Sequence, residues 1–157
     1  MINGFQTVVA AIDIDDELWN VVLKTAADVA NRYGAKLHVV DAWPVKAGIG
    51  FAYARHADIA EIEKDETERQ KRLAELERRV TRVAVNAIVM APVGDKTDTL
   101  ETYLENEKAD LLIIGSHQKG PLKKLLSGSV SSELIKHAPC AVLVVTKAFA
   151  EKQTSQT

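Results

Sequence analysis

Five short apolar runs, separated by stretches in which apolar positions recur three or four residues apart, set the pattern of this chain. Thr7 to Ile14 is continuous and rich in β-branched residues, as expected of a parallel strand covered on both faces. Asp15 and Asp16 then offer a helix cap with acid in the first turn. Leu18, Val21, Val22, Ala26, Val29 and Ala30 follow at helical spacing up to Gly34, which reads as a C-terminal cap. Lys36 to Ala42 predicts a second strand. Trp43 to His56, with Pro44, Gly48 and Gly50, reads as an irregular loop or flap. From Asp58 to Val83 the chain is dense in Glu, Lys and Arg, and Ile59, Ile62, Leu73, Leu76, Val80 and Val83 form only a narrow stripe. That pattern predicts a long surface helix with one buried seam and a solvated charged face.

Ala84 to Pro92 predicts the third strand, and Val93-Gly94-Asp95 a turn into a helix from Asp98 to Glu107, opened by a capping box of Asp98 and Glu101. Asp110 to Gly115 predicts the fourth strand, Ser129 to His137 the last helix and Ala141 to Thr146 the fifth strand. No repeat or low-complexity linker divides the chain, so one domain is expected over residues 1–147, with 148–157 a frayed tail. Alternating strands and helices imply an α/β fold, an open parallel five-stranded sheet with helices on both faces and right-handed crossovers. In such folds ligands sit beyond the C-terminal strand ends, where the strand order reverses. That edge gathers Asp13, Val39, Val40, Gly94 and the loop opening at Gly115. Chain order alone leaves the strand order open.

Composition narrows the partners. With 46% hydrophobic and 27% charged residues and a net charge of -2, the chain is an ordinary globular one, without the basic bias that would make nucleic acid its main partner. Cys140 is the single cysteine, which excludes an intrachain disulfide and a paired-cysteine zinc motif. The start, Met1-Ile-Asn-Gly-Phe-Gln-Thr, lacks the basic and apolar regions of a signal peptide, and no apolar run approaches the ~20 residues of a membrane span. A cytoplasmic protein with no membrane insertion is expected.

The candidate chemistry centres on Gly115 to Val130, a glycine-containing loop with lysines between a strand and a helix start. Glycine permits close backbone approach, and helix N-termini attract anions, so a phosphate-bearing ligand is indicated. Gly115 and Gly120 have phosphate-loop spacing, but Pro121-Leu122 stand where that loop requires Lys and Ser or Thr, which excludes a Walker site. The turn after the first strand, Asp13-Ile-Asp-Asp, contains no glycine, which removes the dinucleotide fingerprint. Lys119, Lys123 and Lys124 either place positive charge near phosphates or solvate the loop. Asp13 is a candidate for ribose hydroxyls or magnesium as well as a helix cap, and His117 either touches phosphate or shapes the turn. His38, inside an apolar strand, reads as a satisfied core histidine. His56 and His137 lack metal-ligand spacing, so no metal site is expected beyond magnesium carried by a nucleotide. Cys140 reads as a small buried residue rather than a nucleophile, and no catalytic triad or Gly-x-Ser-x-Gly elbow is present.

Gly115-Ser116-His117, Leu122 to Leu126, Gly128-Ser129-Val130, His137 to Cys140 and Val142 to Val145 together resemble, in register, the universal stress protein family over nearly the whole chain. The resemblance implies a Rossmann-like sheet of order 3-2-1-4-5 and a homodimer pairing Ala141 to Thr146 of two subunits. It implies adenine-nucleotide binding, with ATP, alone or with Mg2+, as regulatory ligand in stress response and at most slow hydrolysis. Asp13 would hold the ribose, the Val39 backbone would meet adenine, and Gly94 would stand at the rim. Gly115, His117, Gln118, Gly128, Ser129 and Val130 would surround the phosphates, with no catalytic residue assigned. Gln118 replaces the second motif glycine, a change that costs about 1 kcal/mol if that position needs positive φ. The alternative is a nucleotide-free dimeric interaction module of the same fold.

Overall fold

The apolar runs pair because each strand end must hand its backbone groups to a neighbour before its side chains can be buried. The computed structural model describes residues 4–44, 59–116 and 135–155. Its strands are β1 (Thr7–Ala11), β2 (Lys36–Val40), β3 (Ile88–Met90), β4 (Leu111–Gly115) and β5 (Ala141–Val145), and its helices α1 (Trp19–Tyr33), α2 (Ile59–Thr81), α3 (Lys96–Asn106) and α4 (Lys147–Thr154). All strand pairs are parallel, in the order β3-β2-β1-β4-β5 that the family resemblance implies.

The alternation of strand side chains divides the core in two. Val8, Ala10, Leu111 and Ile113 face one layer, where they meet Val22, Leu23 and Ala26 of α1 and Leu76 and Val80 of α2. Val9, Ala11, Leu112 and Ile114 face the other, against Leu100 and Leu104 of α3. β1 and β4 are therefore apolar at successive positions because both faces are covered.

Several boundaries differ from the sequence pattern, each for a local reason. Asp15 and Asp16 do not cap α1 directly. The Asp13 carboxylate accepts the Asp15 N–H at 3.0 Å and Asp16 accepts the Leu18 N–H at 2.7 Å, and these two turns delay the helix to Trp19. Gly34 does end α1, in the left-handed conformation at φ 63°. α3 starts earlier than a capping box at Asp98 would place it, because the Asp95 side chain already accepts the N–H groups of Thr97 and Asp98. β3 shrinks from Ala84–Pro92 to three residues. The backbone turns at Ala84 and Ala87, which pack on the core, and leaves Val85 78% exposed. The expected frayed tail instead forms α4, capped by the Thr146 hydroxyl and anchored by buried Ala150. Of the last helix expected from Ser129, only residues 135–137 are described, and these are helical.

α2 buries only Leu76 and Val80, so its seam is shorter than the apolar stripe suggested. Arginines supply the remaining attachment. Arg69 donates to the Ala91 carbonyl at 2.8 Å, and Arg79 donates to the Ile14 carbonyl at 3.1 Å while lying over the Trp19 ring. On the exposed side, Glu66 and Glu75 are held down to about 2 by hydrogen bonds, chiefly from Arg69 and Arg78.

His38 is buried in β2, with Nδ1 2.8 Å from the Tyr103 hydroxyl, in keeping with a satisfied core histidine. Burial lowers its pKa below 6.5, only partly opposed by Glu107, and burial pushes Tyr103 up to about 12. The unfolded chain therefore binds a proton near pH 6.5 that the folded chain refuses until lower pH. Stability should fall as pH drops from about 7 through that window, by at most ~1.4 kcal/mol per pH unit. Urea unfolding from pH 8 to 5 checks this, and His38→Gln should flatten the slope relative to the parent.

Candidate functional site

The chain leaves β1 toward β2 and then β3 on one side, whereas β4 and β5 lie on the other, so the strand order reverses between β1 and β4. At such a point two crossovers depart in opposite directions and leave a crevice at the C-terminal strand ends. The sequence places polar residues there because the apolar runs stop there. Asp13 follows β1 and Asp41 follows β2, each at the end of a run of covered residues.

A single guanidinium joins these ends. Arg72 of α2 donates from Nη2 to Asp13 Oδ1 at 2.8 Å, from Nη1 to Asp15 Oδ2 at 2.7 Å and from Nε to Asp41 Oδ2 at 2.6 Å. The Asp41 side chain is 4% exposed, that of Asp13 13% and that of Asp15 76%, so the cluster runs from interior to solvent. The carboxylates raise the Arg72 pKa further above its ordinary value despite the cost of its own burial. Three carboxylates around one cation leave the cluster net negative. Among the described residues no group of three His, Cys, Asp or Glu side chains is arranged to hold a metal.

Around this cluster the edge is partly closed. A cavity of about 30 Å³, room for one water-sized group, lies between the ends of β1 and β2 and is lined by Asp13, Asp41, Ala42 and Leu100 among others. Beyond β2 the chain stays zipped to the end of β3. Trp43 N–H donates to the Pro92 carbonyl at 2.8 Å, Gly94 N–H donates to the Trp43 carbonyl at 3.0 Å, and the Trp43 indole donates to Asp65 of α2 at 3.1 Å. Between these pairings, the backbone of Ala42 enters no hydrogen bond among the described residues.

The candidates from sequence fall into three groups. Asp13 stands at the crevice, and Gly94 at its rim beside Trp43. Val39 is fully covered inside the sheet, in register with Ala10 and Val89, so the end of β2 is presented by Val40, Asp41 and Ala42. Gly115 ends β4 against α1, where a Cβ would stand 3.3 Å from Val22 and 3.4 Å from Leu18, so close packing already accounts for the glycine. His117, Gln118, Gly128, Ser129 and Val130 lie outside the described residues. Cys140 is half-buried beside the second core layer, and burial pushes its thiol pKa up, as suits a packing residue rather than a nucleophile.

Sequence reasoning missed Arg72 and Asp41. Asp41 carried a signal, since it closes an apolar strand just as Asp13 does. Arg72 carried little, being one arginine in a charge-dense helix, and only its place four residues before Leu76 puts it on the buried side.

Sheet order defines a doubly wound α/β protein, and its edge carboxylates Asp13 and Asp41 stand at the switch point as the candidate site. A model of the universal stress protein family matches residues 4–146, and the chain belongs to that family. Similar proteins include universal stress protein MJ0531 of Methanocaldococcus jannaschii, 29% identical over 125 residues, with 79% of this chain and 72% of that one aligned. The universal stress protein in the QAH/OAS sulfhydrylase 3'region of Thermus aquaticus is 29% identical over 142 residues, 90% of this chain and 98% of that one. Among solved structures, a universal stress protein in complex with cAMP superposes with a TM-score of 0.64 at 23% identity, covering 90% of this chain and 97% of that one. The universal stress protein from Archaeoglobus fulgidus in complex with dAMP gives 0.57 at 20% identity, covering 88% and 96%. At these identities the structural likeness carries the fold.

Gly94 offers a direct test of the rim. It has φ 153°, and a Cβ there would overlap the Thr99 hydroxyl. Gly94→Ala should cost about 1–2 kcal/mol. Adding Thr99→Ala should recover the steric part while the backbone strain remains, as thermal unfolding of both variants would reveal.

Proposed function

We propose that this protein binds an adenine nucleotide, ATP with Mg2+ as the leading ligand, and uses it as a regulatory ligand in stress response rather than as a substrate for rapid turnover. The observation that carries the reading is Asp13, a partly exposed carboxylate at the end of the central strand β1, beside the switch point. A carboxylate there can accept hydrogen bonds from two ribose hydroxyls, and such charge-assisted bonds are about twice as strong as neutral ones. Ala42 supports the reading, because its backbone N–H and carbonyl are the kind of pair an adenine edge can use. In this reading the base lies at the end of β2 just beyond Val39, the ribose on Asp13, and the triphosphate near Gly115, with His117, Gln118, Gly128, Ser129 and Val130 as its further contacts. The two neighbours solved with cAMP and dAMP bind ligands of the same chemical class.

The same reading makes the protein a cytoplasmic homodimer. β5 is a sheet edge whose Val142, Leu143 and Val144 are only partly covered, and a second copy of that strand would complete both the ladder and the burial. Among the described residues no helix is long and apolar enough to cross a membrane.

Titration calorimetry with Mg-ATP tests the proposal. Binding should be measurable at millimolar nucleotide or below and should stabilise the fold by about 2.7 kcal/mol at a hundredfold excess over Kd. Asp13→Ala should weaken it at least ~10-fold. Gln118→Gly should give only a modest gain. ATP binding that appears only in Gln118→Gly would instead favour the nucleotide-free interaction module, and no heat with any variant would overturn the nucleotide reading.

A further inference from the structure

We propose that Arg72 is a positioning residue for ribose recognition, acting through Asp13 rather than touching the nucleotide. This rests on the nucleotide-binding reading above and names the residue that would set its preference for an intact ribose.

The two hydrogen bonds on the Asp13 carboxylate fall on the same oxygen. Oδ1 accepts from Arg72 Nη2 at 2.8 Å and from the Asp15 backbone N–H at 3.0 Å, whereas Oδ2 accepts none among the described residues. A free aspartate is soft about its terminal torsion, because rotation there is broad and nearly two-fold. With one oxygen held by two donors, turning the group out of this plane would break both bonds, and a full half-turn only exchanges two equivalent oxygens. The carboxylate is therefore fixed with one acceptor committed to the protein and the other left for a ligand.

Arg72 can do this because it is itself fixed. Its Nε is held by the buried Asp41 and its Nη1 by Asp15, so each of its nitrogens already serves a carboxylate, and the planar fork cannot turn without abandoning all three. For the same reason Arg72 is a poor phosphate ligand in this arrangement, since an approaching phosphate meets a guanidinium already outnumbered by anions. The chain thus brings together Asp13 after β1, Asp41 after β2 and Arg72 from α2 to produce one oriented oxygen.

The test compares Mg-ATP with Mg-2',3'-dideoxy-ATP, which keeps base and phosphates but lacks both ribose hydroxyls, by calorimetry on the parent, Arg72→Gln and Asp41→Asn. Removing Arg72 also exposes phosphates to more negative charge, but that penalty is common to the two ligands and cancels in their ratio. The parent should prefer ATP by about 10-fold or more, and Arg72→Gln should lose most of that preference by weakening ATP while leaving the ratio-independent part shared. Asp41→Asn, which loosens Arg72 while keeping a hydrogen-bonding side chain of the same shape, should lose part of the preference and serves if Arg72→Gln does not fold. An unchanged ATP-to-dideoxy ratio in the folded variants would overturn the role of Arg72 and leave nucleotide binding intact. A parent that binds both ligands equally would overturn ribose recognition by Asp13, and a parent that binds neither would overturn the nucleotide reading together with this one.

Discussion

A parallel sheet exposes nothing of its central strands, and that requirement governs most of this molecule. β1 and β4 have neighbours on both edges and helices on both faces, so every side chain between Val8 and Ala11 and between Leu111 and Ile114 is nearly or wholly removed from water. Burying each Val, Leu or Ile among them yields about 1.5–3 kcal/mol, and hydrophobic burial is the dominant favourable contribution to folding. The same coverage leaves polar groups only the strand ends. The C-terminal ends are where helices begin and loops are long, and the carboxylates of Asp13 and Asp41 gather there by exclusion from everywhere else.

Gathering them has a cost that Arg72 offsets. A carboxylate as covered as Asp41 is unfavourable without a partner, and a buried pair is weak as a source of net stability because desolvation cancels most of the attraction. What the Arg72 cluster contributes is therefore geometry more than energy. It ties α2 to the ends of β1 and β2 at a fixed height. Arg69 and Arg79, one turn before and two turns after, repeat the device on the carbonyls of Ala91 and Ile14. A helix with only two buried apolar residues is held over the sheet by a row of directional polar contacts.

Elements covered on both faces were legible in the sequence because burial on both sides leaves an unbroken apolar run, as at Thr7 to Ile14 and Asp110 to Gly115. The edge was harder. β3 has a partner on one side only, and the apolar residues at Ala84 to Ala87 that read as strand serve as a packed turn. Helix starts were misplaced by about a turn, since several aspartates near each start compete to cap and only the backbone path decides among them: Asp95 wins over Asp98. Asp13 was legible as a strand-end carboxylate and candidate site residue from its place at the end of an apolar strand. Its partners were not, because Asp41 and Arg72 are brought to it across 28 and 59 positions of chain by the sheet register and by the pitch of a helix whose sequence offers many equivalent arginines.

Two residues at the edge show how packing and binding can ask for the same amino acid. Gly115 is required by the approach of Leu18 and Val22 whether or not a phosphate ever meets its backbone, and Gly94 is required by its own φ and by Thr99. Neither glycine therefore discriminates between a nucleotide-binding protein and a protein that merely keeps the fold. The Arg72 cluster holds α2 over the strand ends and is also the part of the edge on which the proposed ribose contact rests. A fold in need of stability alone would do as well with apolar residues at Asp13, Asp41 and Arg72, since replacing a buried ion pair by well-packed apolar groups is often neutral or stabilising. Three carboxylates fixed around a guanidinium at the switch point, with one oxygen of Asp13 uncommitted within the protein, are the arrangement that the proposed ribose contact would use.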